Sequence, residues 1–329
     1  MATAPTPSRR SLLLGAAALP ALARAALAQG NWPDRPIRVI VPFGAGTSTD
    51  IMTRLVTPRM SQELGQPIVI ENRPGAGGVV GSEAVAKSLP DGYNLCMGSI
   101  ASHSVNVSLM PRLPYDVLRD FTPVSLVTNA PNLLVVGNHV PARTLQEFLA
   151  WARTQRGGAS YASAGNGTSS HLAGELLKQR TGVPLEHVPY RSGAQALTDI
   201  ISGQVAMTVY QVTAVLPFVR DGKMRALATT SARRLEWTPD VPTVEEQGVA
   251  PFDVAAWHGL FAPANLPAPV LDRIFHALTT ALNDPKLRPK LNEQGLEPVG
   301  MAPAAFRPWL EADIAKWREV VRAGNIKPD

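Results

Sequence analysis

The chain has one cysteine, Cys96, in 329 residues. No intramolecular disulfide can form, and no C-x-x-C pair or H-E-x-x-H run points to thiol redox chemistry or a zinc centre. A catalytic thiol needs an electropositive setting, whereas Tyr93-Asn94-Leu95-Cys96-Met97-Gly98 has the pattern of a buried strand. The six histidines (His103, His139, His171, His187, His258 and His276) are scattered without ligand spacing. Lys/Arg runs with interleaved aromatics are also missing, which argues against a nucleic-acid partner. There is no G-x-S-x-G elbow, no repeat of fixed period and no low-complexity tract. These absences leave no catalytic constellation, no metal site and no cofactor to assign from the sequence.

What is present is a globular composition, 45% hydrophobic and 17% charged, with 30 prolines that stiffen connections. The length suits about two domains. Residues 1–28 are set apart as a twin-arginine export signal. Ser8-Arg9-Arg10-Ser11 precedes Leu12-Leu13-Leu14 and an alanine-rich run, and Ala26-Leu27-Ala28 offers a small-x-small cleavage site. Pro20 and Arg24 break that run short of the roughly 20 apolar residues a membrane span requires. The mature chain is expected to start near Gln29. Three of the 31 basic residues and none of the 26 acidic ones lie in 1–28, so the remainder carries 28 against 26, a balance of +2.

Taken in order, Pro36 to Pro42 is a β-branched run followed by the turn Phe43-Gly44-Ala45-Gly46-Thr47-Ser48-Thr49-Asp50 and a helix carrying Ile51, Met52, Leu55 and Val56. Ile68 to Glu71 is a second strand, followed by a glycine turn and a helix ending near Ser88; Tyr93 to Gly98 is a third strand. Alternating strands and helices with short turns predict an α/β fold with a parallel or mixed sheet. Phe121–Val127 and Asn132–Val136 are two extended runs that can carry the chain between domains, and Met224–Thr229 a run by which it can return. Between them lie a helix over Thr144–Gln155, a strand to Ala162, a helix to about Arg180, a strand over Glu186–Pro189, a helix capped by Ser192 and a strand over Val205–Tyr210. Pro242–Glu246 is expected as a short helix, Val254–Phe261 as a strand, and Pro269–Leu282 and Pro303–Val321 as amphipathic helices.

The turn Ser163-Ala164-Gly165-Asn166-Gly167-Thr168-Ser169-Ser170-His171 repeats the strand, glycine turn, helix order. Thr168, Ser169 and Ser170 are good N-cap types, and N–H groups at a helix start beside hydroxyls suit a small anion. Asp50 in a first helical turn favours the helix through its dipole, and can also orient the loop or meet a cationic group. His171 can line the site or hydrogen-bond a turn. Neither glycine turn completes a dinucleotide fingerprint, because Thr49 and Ser170 stand where the third glycine belongs. Two anion-binding turns on opposite sides of a domain crossing suit a ligand with two separated carboxylates. The alternatives are an exported nucleotide-dependent enzyme and a ligand sensor for a membrane signalling partner.

The chain resembles the Bug-type extracytoplasmic solute receptors of tripartite tricarboxylate transporters. The resemblance runs through Trp32-Pro33-Asp34-Arg35-Pro36-Ile37, Val41-Pro42-Phe43 with the loop to Asp50, Glu71-Asn72-Arg73-Pro74-Gly75-Ala76-Gly77-Gly78, Pro90-Asp91-Gly92-Tyr93, Tyr161 to Leu172, Val188-Pro189-Tyr190, Asp240-Val241-Pro242-Thr243 and Phe261-Ala262-Pro263. It implies a two-domain periplasmic binding protein of type II-like α/β fold, with the ligand cleft between the domains, two crossings and no enzymatic activity. Residues 29–125 plus 232–329 are expected to form one domain and 126–231 the other. The implied ligand contacts are Phe43, Gly44, Gly46, Ser48, Asp50, Ser163, Gly165, Gly167, Thr168, Ser169 and His171. The implied partners are a small carboxylate and membrane permease subunits, met by a monomer in the periplasm. Family loops commonly carry two adjacent glycines before the acidic residue. Thr47 holds the second place here, so the resemblance does not fix the backbone path of this loop.

Overall fold

The structure, a computed structural model, describes residues 32–190 and 193–327. The export signal, the start near Gln29 and the Ser192 cap fall outside the described residues. In chain order the elements are β1 (Ile37–Val41), α1 (Ser48–Leu64), β2 (Ile68–Asn72), a 3-10 turn (Ala76–Gly78), α2 (Val79–Ala86), β3 (Asn94–Ser99), a π-helical turn (Ala101–Val105), α3 (Asn106–Leu109) and β4 (Phe121–Gly137). There follow α4 (Leu145–Thr154), β5 (Ala159–Ser163), α5 (Ser169–Thr181), β6 (Leu185–Pro189), α6 (Gly193–Ile201), β7 (Met207–Gln211), α7 (Val212–Arg220) and β8 (Met224–Thr229). The chain closes with β9 (Ala255–Pro263), α8 (Ala268–Leu282), α9 (Arg288–Glu293), β10 (Glu297–Pro298) and α10 (Pro303–Ala323).

β4 organises these elements. The two extended runs expected from the sequence form one 17-residue strand. Proline between them did not end it, for a local reason. Pro131 pairs with Ala255 of β9, and the next residue, Asn132, pairs with Gln211 of β7, so the ladder changes partner where an N–H is missing. Pro123 sits beside a register shift, the other place a strand accepts proline. The expected crossing between 125 and 126 lies inside the part of β4 that pairs with β9. The return path runs from β8 to β9, where the Thr230 N–H donates to the Asn132 carbonyl and the Val254 N–H to the Thr230 carbonyl. Pro242–Glu246 is not a helix. Thr243 bridges to Thr229, and Thr243 and Glu246 exchange side-chain-to-backbone bonds of 2.8 and 2.9 Å in a turn that Gly248 (φ +86°) and Pro251 terminate.

Strand direction fixes where the loops go. β1, β2 and β3 are mutually parallel, β3 is antiparallel to β9, and β9 is antiparallel to β4, so the first three strands run the same way as β4. β7 is antiparallel to β4, with β5 and β6 parallel to it. The carboxyl ends of β1–β3 and of β5–β7 therefore face each other along β4. Ser99, the last residue of β3, is level with His258 and Thr128, whereas Gln211, the last of β7, is level with Asn132. Four positions of β4 separate the two rows of strand ends, about 13 Å at the usual rise of ~3.3 Å per residue.

Helix α10 covers both halves. Phe306, Leu310, Ile314, Trp317, Val320 and Val321 are buried in one apolar cluster with Val105 and Leu109 on one side and Leu172, Leu176 and Leu177 of α5 on the other. Its buried Asp313 accepts from the indole N–H groups of Trp257 in β9 and of Trp317, both at 3.0 Å, and pairs with Lys316 at 3.0 Å. Gly174 lies inside α5 for a steric reason. A Cβ there would sit 2.2 Å from the ring of Tyr161, which is fully buried and held by a 2.7 Å bond to Glu175. Gly174→Ala should therefore destabilise the fold by about 1–3 kcal/mol despite better helix propensity. Urea denaturation measures this, and an equal or raised midpoint would contradict the packing.

Candidate functional site

The turns after β1 and β5 share a sequence pattern and a hydrogen-bond frame. Gly44-Ala45-Gly46-Thr47-Ser48-Thr49-Asp50 and Gly165-Asn166-Gly167-Thr168-Ser169-Ser170-His171 share G-x-G-T-S, and three hydrogen bonds recur in both. The Thr47 N–H and hydroxyl donate to the Gly44 carbonyl at 3.4 and 2.8 Å; those of Thr168 donate to the Gly165 carbonyl at 3.4 and 2.7 Å. The Gly46 N–H donates to Asp50 Oδ2 at 2.9 Å, and the Gly167 N–H to His171 Nδ1 at 3.1 Å. Gly46 and Gly167 are left-handed (φ +80° and +71°), which only glycine adopts readily. Thr47 and Thr168 are extended N-caps at φ −71°, ψ 159° and φ −73°, ψ 160°. Thr47 thus stands in an extended conformation that needs no glycine.

This repeat shows what each expected site residue does. Asp50 is buried, and its carboxylate is occupied. Besides the Gly46 N–H it accepts from Arg54 Nε at 3.0 Å and from Asn72 Nδ2 at 2.9 Å. Burial pushes its pKa up, but Arg54, the Gly46 N–H and Asn72 together outweigh that and hold the group below the ordinary carboxylate range. Asn72 also donates to the Phe43 carbonyl, fixing the loop that Phe43 begins. The Ser163 hydroxyl is buried between His187 Nε2 at 2.6 Å and the backbone of Gly165, and Thr168 and Ser170 bond each other at 3.0 Å. Gly167 reaches across to α3, where an added Cβ would lie 2.7 Å from Leu109. The first N–H groups of a helix have no intrahelical acceptor, so Ser48 and Thr49 on α1 and Ser169 and Ser170 on α5 present theirs at the carboxyl ends of β1 and β5.

The two turns also differ. Gly165 is left-handed (φ +114°) where Gly44 is not, and the Thr168 hydroxyl accepts from the His171 N–H at 3.4 Å whereas Thr47 makes no such cap. A third difference is electrostatic. The first turn of α1 contains an acidic residue, Asp50, whereas that of α5 contains none. In α5 the equivalent acceptor is His171, whose pKa is pushed down to about 3 by burial and then by His187 and Lys178. The ring is neutral, and because Nδ1 accepts, its proton is on Nε2. It stacks on His187 with centroids 3.8 Å apart. The positive end of the α5 dipole is therefore uncompensated by any acidic side chain in its first turn, while that of α1 is already matched.

Sequence reasoning missed Arg54, Asn72, Thr128, His187 and His258. Arg54 was open to it as an i,i+4 partner of Asp50. The others depend on strand pairing. His258 on β9 is within 3.3 Å of the Ser48 hydroxyl and 3.0 Å of the Thr128 hydroxyl, so it links the start of α1 to β4. Burial pushes His258 down to about 4 and His103, stacked on Phe261, down to about 3. Unfolded imidazoles take up protons near pH 6.5 while these folded ones do not. The unfolded state then binds more protons as pH falls below 6.5, and stability must decline. The melting temperature should drop between pH 7 and pH 5, ahead of carboxylate titration. A flat profile over that range would contradict the burial of neutral histidine.

Residues 52–326 match the model of the tripartite tricarboxylate transporter family receptor. The chain is 36% identical to Protein BugT of Bordetella pertussis over 298 residues, 90% of this chain and 91% of that protein. Among solved structures it is similar to an R. palustris protein with adipate, at 34% identity and TM-score 0.77, covering 91% of this chain and 100% of the other. It is similar also to MatC of Rhodopseudomonas palustris with bound malate, at 36% identity and TM-score 0.73, covering 88% and 100%. Two sheets joined through β4, with matching turns at their facing strand ends, are thus the architecture of a periplasmic binding protein, and the chain belongs to the tripartite tricarboxylate transporter receptor family.

Proposed function

We propose that the protein is a periplasmic receptor that captures a small carboxylate between its two glycine turns and hands it to a tripartite tricarboxylate-type permease. The observation that carries this reading is the duplicated turn, whose two sets of free helix-start N–H groups face each other across about four residues of β4. The ionised carboxylate belongs at the start of α5, where no acidic side chain occupies the helix dipole. The start of α1, already matched by Asp50 and Arg54, takes the other polar end. Asp50, His171, Ser163 and Thr168 act by holding the turns, and Ser48 and Ser169 by lining the cleft. Charge-assisted bonds contribute about 1.5–3 kcal/mol each, so four donors cover the roughly 8 kcal/mol of a micromolar complex with a margin for ordering. Two lobes meeting at Pro131/Asn132 close by rotation about β4 and the β8–β9 return. Export by the twin-arginine route and action as a monomer complete the reading.

Titration calorimetry of the mature protein against malate, adipate, and mono- and tricarboxylates tests it. At least one should bind with micromolar affinity, and no heat from any would overturn the reading. Two variants separate charge from shape. His171→Asn keeps a neutral acceptor for the Gly167 N–H and should retain most affinity. His171→Asp keeps an acceptor but adds the charge that α1 already carries, and at pH 8.5 should lose at least tenfold, about 1.4 kcal/mol. Equal affinities for the two variants would remove the carboxylate from α5.

A further inference from the structure

A second cavity lies on the seam between the halves, away from the two turns. It is a groove of about 630 Å³ walled by α7 and α9, with Trp237 of the β8–β9 return as its third side. α7 follows directly from β7, whose last residue pairs with Asn132, and α9 precedes β10, which pairs with Thr128 and Asn129. Its two walls thus belong to elements on opposite sides of the point where β4 changes partner. The turn after α9 packs close to α7, since a Cβ on Gly295 would lie 2.7 Å from Thr213.

The lining is amphipathic. Val212, Leu216, Trp237 and two prolines, Pro285 and Pro289, give apolar surface, and two arginines, Arg220 and Arg288, line the same groove. Among the described residues neither arginine has an ion-pair partner, although fifteen other pairs are formed; Glu293 is the one acid in the lining. Arginine presents a planar fork that matches a carboxylate and stacks on flat groups. A groove of a few hundred Å³ with apolar walls and few polar groups is the usual form of a small-molecule site.

We infer that this groove is a second ligand site, selective for a compact anion with a flat apolar body, such as an aromatic carboxylate. The carboxylate pairs with Arg220 and Arg288 while the ring lies against Trp237 and the prolines. An occupant touching both walls binds more tightly in one relative placement of the halves than in another. By linkage it then shifts affinity at the turn-lined cleft, and the cleft ligand shifts affinity here by the same factor. This coupling rests on the receptor reading above; binding in the groove does not.

Phenylacetate is the probe, followed by tryptophan emission excited at 295 nm, where it does not absorb. The mature protein should show saturable quenching below about 20 mM, the range of weak but specific binding. Trp237→Phe should remove the quenching, and Arg220→Ala/Arg288→Ala should weaken binding at least tenfold in a protein of unchanged melting temperature. Uncharged 2-phenylethanol should bind at least tenfold more weakly. His171→Asp, altered only in the cleft, should bind phenylacetate as the unaltered protein does. Absence of saturation, or equal affinity in the double arginine variant, would overturn the assignment. Loss of binding in His171→Asp alone would place the probe in the cleft instead, and overturn it equally.

Discussion

The backbone ladder of β4 is the constraint on which the other features depend. One strand gives its first hydrogen bonds to β9 and β10 and its last to β7 and β8, so the two halves share a continuous sheet. Because the strands before it run with β4 and those after it run against it, both families of parallel strands end at the seam. Ligands of α/β sheets bind outside the carboxyl ends of strands. Here two such regions are brought face to face by direction alone, before any side chain is considered. Prolines at positions 123 and 131, which in isolation argue against a central strand, sit at the shift and the handover where an N–H is dispensable.

Within that frame the two turns supply matched chemistry from nearly the same seven residues. Threonine N-caps, left-handed glycines and an internal acceptor at the seventh position hold each turn by its own hydrogen bonds. Several of the side chains are consumed in that work, and on the proposed reading recognition rests largely on the main chain. The turns differ where electrostatics matter most. An aspartate with its arginine balances one helix start, and a neutral, buried histidine leaves the other open to an anion. A site of this kind has a built-in polarity even though its two ends share a shape.

Much of this was legible in the sequence. Strand and helix order followed from periodicity, and the turns from glycine beside cap residues. Residues such as Ser163 and His171 stand out as candidates because they lie next to those glycines. Their roles were not legible, since whether a hydroxyl faces solvent or its own loop depends on a few tenths of an ångström. The runs Phe121–Val127 and Asn132–Val136 join into one strand because Pro131 acts through the pairing of its neighbours, which local pattern does not contain. His187 and His258 escaped for the same reason, as each meets its serine only after 24 or 210 residues of chain are brought back by sheet pairing. Pro242–Glu246 carries the capping exchange of a helix start, yet the glycine and proline that follow prevent the helix.

A crystal structure of the mature protein with bound malate tests the central claim most directly. The account predicts one carboxylate within hydrogen-bond distance of the Ser169 and Ser170 N–H groups and the opposite end of the ligand at Ser48 and Thr49. Malate held elsewhere, or with no oxygen near the start of α5, would contradict it.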